Sequence, residues 1–224
     1  MTQPFTFVSP PEDAFQRRVL FALELLDAVT LARVHHDIQV TGVGLRRKHI
    51  VNESGVFVWL LEDFAGLQKI TIEPGVLPYE GVEIPAAQVQ LPLTRIELSP
   101  RPHYAFAAGV TGLRGTVIEE RVDPPIPIPN AEVQLRWLDE NSVWRDAPTI
   151  SRTQKKGGDF AAILRLSSTE IPLLDANGAI TVRLRVRRDT GSERTSADFP
   201  LLQGRVTDPS TLNALTFAWD ELQP

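Results

Sequence analysis

The stretch SGVFVW, residues 54–59, has an echo about a hundred residues later in GGDFAAIL, residues 157–164. In both stretches a glycine stands two positions before a phenylalanine, and an apolar run follows. A glycine before a strand permits the positive φ of a turn, and the phenylalanine then buries a large ring between two sheets. Each stretch therefore predicts the entry of a buried strand, and the echo predicts that one structural unit is used twice.

Short alternating or β-branched segments continue this pattern along the whole chain, which has 18 prolines and 14 glycines to separate them. AEVQLRW, residues 131–137, alternates apolar and polar residues, and so does ITVRLRVRR, residues 180–188. Further strands are predicted at residues 19–25, 37–45, 56–61, 68–75, 86–93, 95–98, 113–120, 159–166 and 215–219. Short strands at this spacing predict an all-β fold of antiparallel β-sandwiches.

The order of these segments matches between the two halves of the chain, although few residues are identical. A repeated supersecondary unit accounts for this most simply. We expect an N-terminal arm at residues 1–17, a first β-sandwich domain at 18–98, a connector with few contacts at 99–112 and a second domain at 113–224. Duplication within a single sandwich is the alternative. The segment before Val19 fits a proline-capped helix or an arm that runs into a strand, and we favour the arm.

Composition excludes several classes of protein. The net charge of −5 argues against nucleic-acid binding, which needs a basic face. Without cysteine there is neither a disulfide nor a thiolate metal site. No apolar run approaches the roughly 20 residues of a membrane helix. The N-terminus lacks the basic start and apolar core of a secretory signal, so we expect a cytoplasmic protein or a component of a released particle.

The run from LRGTVIEE to GGDFAAIL resembles carboxypeptidase-regulatory-like modules, which share a prealbumin (transthyretin-like) β-sandwich. The residues on that pattern are Gly115, Val117, Pro129, Ala131, Val133, Gly158 and Phe160. The first half matches through Asp27, Ile38, Val40, Gly55 and Phe57. Its opening lacks the Gly-x-Val of the family, and GAITVRL stands where the family has a second aromatic entry. The resemblance implies sandwiches in tandem and a structural accessory, such as a component of a phage-tail-like or contractile injection particle.

No catalytic motif is present in the sequence. It contains no H-E-x-x-H, no glycine-rich phosphate loop and no G-x-S-x-G elbow. His35 and His36 are adjacent, so on a strand they point to opposite faces and do not share a metal. DANG, residues 175–178, lacks the later ligands of a calcium loop and is predicted as a turn. We therefore expect no enzyme activity, no cofactor and no metal.

Three arginines, Arg183, Arg185 and Arg187, share one face of a predicted strand. Like charges in a row repel unless carboxylates or a partner offset them. Cross-strand pairing with nearby carboxylates is the interpretation we favour, and an acidic partner surface is the alternative. Trp137 is predicted to lie in the core. Trp144, in ENSVWRD, is predicted in a loop, where it would mark a protein interface or a platform for a sugar.

The arm offers a second candidate surface. FTFV, residues 5–8, has strand character and carries Phe5 and Phe7 between prolines. Such a segment can add to the exposed sheet edge of another protein. The sequence therefore predicts a non-catalytic structural or protein-interaction module, with a carbohydrate-binding accessory as the alternative.

Overall fold

The computed structural model describes residues 19–60, 66–154, 157–188, 191–208 and 215–224. Residues 1–18, and with them the predicted arm, lie outside this part of the chain. The N-terminal strand set consists of β1 (Val19–Asp27), β2 (Gln39–Val43), β3 (Ile50–Val51), β4 (Phe57–Leu60), β5 (Lys69–Glu73), β6 (Val82–Pro85) and β7 (Leu93–Leu98). The C-terminal strand set consists of β8 (Gly112–Ile118), β9 (Glu132–Leu138), β10 (Trp144–Arg152), β11 (Asp159–Ile163), β12 (Ala179–Arg187), β13 (Glu193–Thr195), β14 (Phe199–Leu202), β15 (Val206–Thr207) and β16 (Thr216–Ala218).

Each strand set forms two sheets around its own hydrophobic core. In the N-terminal set the sheet β3-β4-β1-β7 packs on the sheet β2-β5-β6, with Phe21 and Trp59 from the first and Ile70 and Ile72 from the second in one buried cluster. In the C-terminal set the sheet β10-β9-β12-β13, with β14 beside β12, packs on β11-β8-β15, with β16 beside β8. The predicted all-β sandwich fold is confirmed.

The pairing scheme of the first set recurs in the second. β1 lies between antiparallel β4 and parallel β7, and β8 lies between antiparallel β11 and parallel β15 and β16. The run β2-β5-β6 corresponds to β9-β12-β14, antiparallel throughout. The third strand differs, because β3 pairs with β4 whereas β10 pairs with β9. The strand order thus repeats with one strand moved to the opposite sheet. The division into domains at 18–98 and 113–224 stays a prediction.

The two Gly-x-Phe entries occupy equivalent strands, β4 and β11, and both phenylalanines are buried. Gly55 has the positive φ of 78° that the sequence predicted. Gly158 is required for a different reason, because a Cβ there would lie 2.0 Å from the carbonyl oxygen of Val117 on β8. Close approach of two backbones, and not a left-handed turn, therefore selects the second glycine.

Proline accounts for the two largest errors in the predicted strands. Residues 86–92 form no strand; a short 3-10 helix, Ala86–Gln88, follows Pro85, and β7 begins only after Pro92. β10 was missed because it contains Pro148, which cannot donate to a ladder. The strand accommodates this proline where its register with β9 shifts, between Asp146 and Ile150. The shorter strands β3, β6, β13, β14 and β15 were also not predicted.

The predicted connector, residues 99–112, has more contacts than the sequence indicated. The ring of Tyr104 is buried in the N-terminal core, and Phe106 packs against the same cluster. The backbone of Ser99 accepts a hydrogen bond from Glu80, and Arg101 donates one to Pro78. The expectation of few contacts is therefore wrong, because two aromatic rings attach this segment to the first core.

Candidate functional site

The arginine face of β12 is neutralised within the chain. Arg183 contacts Asp198 at 2.5 Å. Arg185 contacts Asp146 at 3.2 Å and also Gln134. Arg187 pairs with Glu132 on the neighbouring strand β9. These contacts are the cross-strand pairing that the sequence favoured, and a role of this face in binding a partner stays a prediction.

Trp144 lies at the start of β10, so its predicted place in a loop is wrong. It stands opposite Leu138 of β9 in the antiparallel register. The guanidinium of Arg183 lies 4.1 Å from the centroid of its ring, at cation–π distance. A partner or sugar that stacks on that face must displace Arg183. Trp137, by contrast, is buried in the core as predicted.

Phe5 and Phe7 lie outside the described residues, so the structure does not place the other half of the predicted partner surface. His35 and His36 precede β2 and lie on no strand, so the expectation that their side chains point to opposite faces is wrong. The rings of His35 and His36 are 3.9 Å apart, and His49 lies edge-on to Phe57. Burial lowers the pKa of His49. In the part of the chain that the structure describes, no three His, Cys, Asp or Glu residues are grouped to hold a metal.

A buried carboxylate that the sequence did not single out as a site is bound by both tyrosines of the chain. Oδ2 of Asp27 accepts hydrogen bonds from the hydroxyls of Tyr79 at 3.0 Å and Tyr104 at 2.5 Å. Oδ1 accepts from the backbone N–H of Val29 at 2.7 Å. Burial, the Asp27 charge and the hydrogen bond to it raise the pKa of Tyr79 to about 12. Burial and the hydrogen bond to Asp27 also raise the pKa of Tyr104 far above its ordinary value. The sequence contains one indication of this tyrosine cluster: its only two tyrosines lie in proline-rich segments between strands.

A second buried carboxylate, Glu24, lies on the opposite face of β1. Its two oxygens accept hydrogen bonds from Arg33 at 2.5 Å and from Arg95 at 2.7 Å. Arg95 stands directly beside Glu24 in the parallel register of β1 and β7. The bond from Arg33, supported by Arg95, lowers the pKa of Glu24 although burial acts in the opposite direction. This cluster fastens the last strand of the set to the first.

The two strand sets meet at a junction built from side chains of the C-terminal set. Arg165 donates to the carbonyl oxygen of Ala28 at 2.8 Å and to both carboxylate oxygens of Glu97 at 2.9 and 3.0 Å. Arg114 donates to the carbonyl oxygen of Tyr104 at 2.6 Å. Ala28 directly follows Asp27, and Tyr104 binds Asp27, so the buried tyrosine cluster and the junction share the same backbone. The junction therefore attaches the C-terminal set to the segments of the N-terminal set that form the Asp27–tyrosine cluster.

A polar pocket opens at the end of the C-terminal set, between the β9–β10 hairpin and the loop at residues 165–174. Its cavity volume is about 210 Å³, and its lining includes Trp137, Asp139, Arg145 and Glu170. The backbone N–H of Glu140 donates to the carbonyl oxygen of Ile171 and joins the hairpin to the loop. The indole N–H of Trp137 is buried without a hydrogen-bond partner among the described residues. The sequence predicted Trp137 only as a core residue.

The fold and these surfaces define an all-β sandwich protein. No protein-family model matches the chain, and no curated protein matches it. Among solved structures, it is similar to a DUF3823 family protein from Bacteroides ovatus at 12% identity, over 84% of this chain and 98% of that chain, with a TM-score of 0.24. None of the described helices is long and apolar enough to cross a membrane.

Proposed function

We propose that the protein is a non-catalytic structural or protein-interaction module, an accessory of a larger assembly such as a phage-tail-like or contractile injection particle. We assign it two tandem domains, at residues 18–98 and 113–224, of the carboxypeptidase-regulatory-like kind. The recurrent strand order of the two sets supports this assignment. The entry strands β4 and β11, each with its buried phenylalanine, support it as well.

The junction is the observation that carries the proposal. Arg165 contacts both carboxylate oxygens of Glu97 across the two sets through one nitrogen and also binds a backbone oxygen of the first set. One nitrogen of the guanidinium binds both oxygens of Glu97 and another binds the carbonyl oxygen of Ala28, so three charge-assisted hydrogen bonds join the two sets. The hydroxyl of Ser99 adds a contact to the carbonyl oxygen of Ile150 on β10. Such contacts between two sandwiches suit an assembly component, which has to present its outer edges in a constant geometry.

The edge strand β3 is a docking site that fits this role. Among the described residues it pairs on one side only, with β4, and its side chains Ile50 and Val51 are 50% and 44% exposed. Both residues of β3 are apolar, and an unpaired strand edge can accept an added strand. The arm with Phe5 and Phe7 would supply the complementary strand to the edge of a neighbouring protein. Trp144 and the arginine face of β12 would be the second contact.

Affinity capture of the intact protein from its own cells, read by mass spectrometry, tests the proposal. We expect a defined set of structural proteins to be captured. Deletion of residues 1–16 and the substitution Ile50→Lys should each reduce capture while the protein stays folded. Val76→Lys is the matched control, because Val76 is 92% exposed but lies in a turn and not on an edge. Arg185→Glu should weaken capture further, and more strongly at low salt, because screening is then weaker.

The result that contradicts the proposal is equal capture by the parent and by the arm-deletion, Ile50→Lys and Arg185→Glu variants.

Carbohydrate binding is the second candidate function, and a specific feature favours it. Trp144 was the sequence-based candidate for a sugar platform, but its ring is stacked on Arg183. The pocket beside Trp137 is a better-formed site for a sugar, because its lining holds both hydrogen-bond donors and acceptors.

A further inference from the structure

The outer face of the sheet β3-β4-β1-β7 carries an apolar row, whereas a sheet face that meets water is commonly polar. Ala22 of β1 stands beside Val58 of β4 on one side and Leu93 of β7 on the other. Val58 in turn stands opposite Ile50 of β3. Phe21, the neighbour of Ala22 in the chain, lies in the core, so the row points the other way. Ala22 and Leu93 are partly exposed and Ile50 is half-exposed.

The apolar surface continues to the end of the sheet where the chain enters it. Val19, the first residue of β1, pairs with Leu60, which lies two positions beyond Val58 on the same side of β4. Val19 is 53% exposed. The charged pair of this face, Glu24 with Arg95, lies on the other side of the row, further along β1. A contiguous apolar patch of this kind indicates an interaction surface.

The corresponding face of the second strand set is contacted by the segment that precedes it. Arg114 of β8 occupies the place of Ala22, because each stands opposite the residue that follows an entry phenylalanine. The guanidinium of Arg114 lies 5.1 Å from the centroid of the Phe106 ring and donates to the carbonyl oxygen of Tyr104 at 2.6 Å. Both residues belong to the segment that leads into β8. A segment before the central strand thus lies against the outer side of its sheet.

Residues 1–18 are the equivalent segment of the first set, since they lead directly into β1 beside the apolar row. Their large apolar side chains are Phe5, Phe7, Val8 and Phe15. Because each residue spans at most about 3.6 Å, Phe15 lies within about 14 Å of Val19. Four strands about 4.8 Å apart cover a similar width. We propose that residues 1–18 fold back over the outer face of this sheet in their own chain, with their phenylalanines on the apolar row.

The covalent link favours this contact over the same contact with a second copy. A short flexible link gives the arm an effective concentration of about millimolar at its own sheet. When the arm leaves this face, it becomes available to the sheet edge of a neighbouring protein. The contact therefore adds regulation to the assembly role: the arm stays on its own sheet until a partner binds it. This consequence rests on the proposed function, whereas the contact itself does not.

Paired cysteines test the contact in the full-length protein, because the natural chain contains none. Thr6→Cys places one thiol between the two phenylalanines of the arm, and Ile50→Cys or Leu93→Cys places the other at either end of the row. The reference pair is Thr6→Cys with Val76→Cys, because Val76 is 92% exposed and lies in a turn. We expect at least one row pair to form an intramolecular disulfide about tenfold faster than the reference pair, since docking raises the effective concentration of the thiols. Non-reducing electrophoresis and mass spectrometry measure the rates.

A matched pair of arm variants shows whether the apolar side chains cause the contact. In the faster row pair, Phe7→Ser should lower the rate toward that of the reference pair, and Gln3→Ser should leave it unchanged. If Leu93→Cys fails to fold, the half-exposed Ile50 position carries the test. The proposal is overturned if neither row pair closes faster than the reference pair, if Phe7→Ser closes as fast as its parent, or if the products are disulfide-linked dimers, which would assign the face to a second copy. No assembly partner is needed, so this result and the capture experiment can fail independently.

Discussion

The hydroxyl of Tyr104 donates a 2.5 Å hydrogen bond to Oδ2 of Asp27, a residue 77 positions earlier in the chain. The same oxygen accepts from Tyr79 at 3.0 Å. The two tyrosines lie outside the strands, and they attach the segment before β6 and the segment at 99–112 to the end of β1. A single buried carboxylate thus joins three parts of the N-terminal set and supports the backbone to which Arg165 binds.

Tyr104→Phe tests the strength of this attachment. The change removes only the hydroxyl and leaves Asp27 with a weaker set of donors. We expect the free energy of unfolding to fall by about 1.5–3 kcal/mol, the range for a hydrogen bond to a charged group. Urea unfolding at neutral pH measures it. Tyr79→Phe should have a smaller effect because its bond is longer, and the double variant should lose more than the sum. A Tyr104→Phe protein as stable as the parent would show that the hydroxyl does not contribute.

Ionisation of the two tyrosines gives a pH prediction with a defined sign. The pKa of Tyr79 rises from an ordinary value of 10.0 to about 12 on folding, and that of Tyr104 rises as well. A raised folded-state pKa contributes stability that is complete below pH 10 and is lost as the pH rises through about 12. Absorbance of tyrosinate should therefore appear near pH 10 in denaturant and only near pH 12 or above in the native protein. If the native protein showed half of its total tyrosinate absorbance change at pH 10, that result would contradict burial of the tyrosine pair.

Adjacent glycines offer a matched test of the second strand entry. Gly158→Ala places a Cβ 2.0 Å from the carbonyl oxygen of Val117, so β11 must move away from β8. Gly157→Ala meets nothing closer than 3.7 Å. We expect the first change to lower the free energy of unfolding by about 2 kcal/mol or more and the second to stay within about 0.5 kcal/mol. Thermal unfolding followed by circular dichroism compares them, and equal stabilities would show that the contact is not required.

Arg165→Ala tests the junction. The change removes the ion pair with Glu97 and the bond to the carbonyl oxygen of Ala28. Because the two sets have separate cores, we expect the parent to unfold in one calorimetric transition and the variant in two. Arg121→Ala is the control, since Arg121 pairs at 2.7 Å with Glu221 within the C-terminal set. It should leave a single transition. A parent with two transitions, or an Arg165→Ala protein with one, would show that the junction does not couple the sets.

The acidic side of the stability profile follows from Glu24. Its pKa is lowered by Arg33 foremost and by Arg95, so its contribution is complete above about pH 4.5 and is lost as the pH falls through the folded-state pKa. We expect Glu24→Gln to lower stability at pH 7 and to flatten the decline in acid, as measured by urea unfolding at a series of pH values. An unchanged acid profile in this variant would assign the decline to other groups.

Local pattern was enough to predict most of the fold. Alternation in residues 131–137 and 180–188 placed β9 and β12, and the two Gly-x-Phe entries placed β4 and β11, because side-chain period and turn chemistry depend on neighbouring residues. The same local rules failed at β10, where Pro148 disguised a nine-residue strand whose register shift only its partner reveals. They also gave the wrong environment for Trp144.

Only the tertiary structure determined which residues distant in the sequence contact one another. Strand pairing and sheet packing determine that Asp27 binds both tyrosines, that Arg165 binds the first strand set and that Trp137 and Glu170 line one polar pocket. Such contacts join residues separated by tens of positions, and no local pattern encodes them. The sequence by itself determined the strands and the all-β class, because hydrophobic period and turns act locally. The junction, the buried carboxylates and the pocket were decided by the fold, because they exist only where separate segments meet.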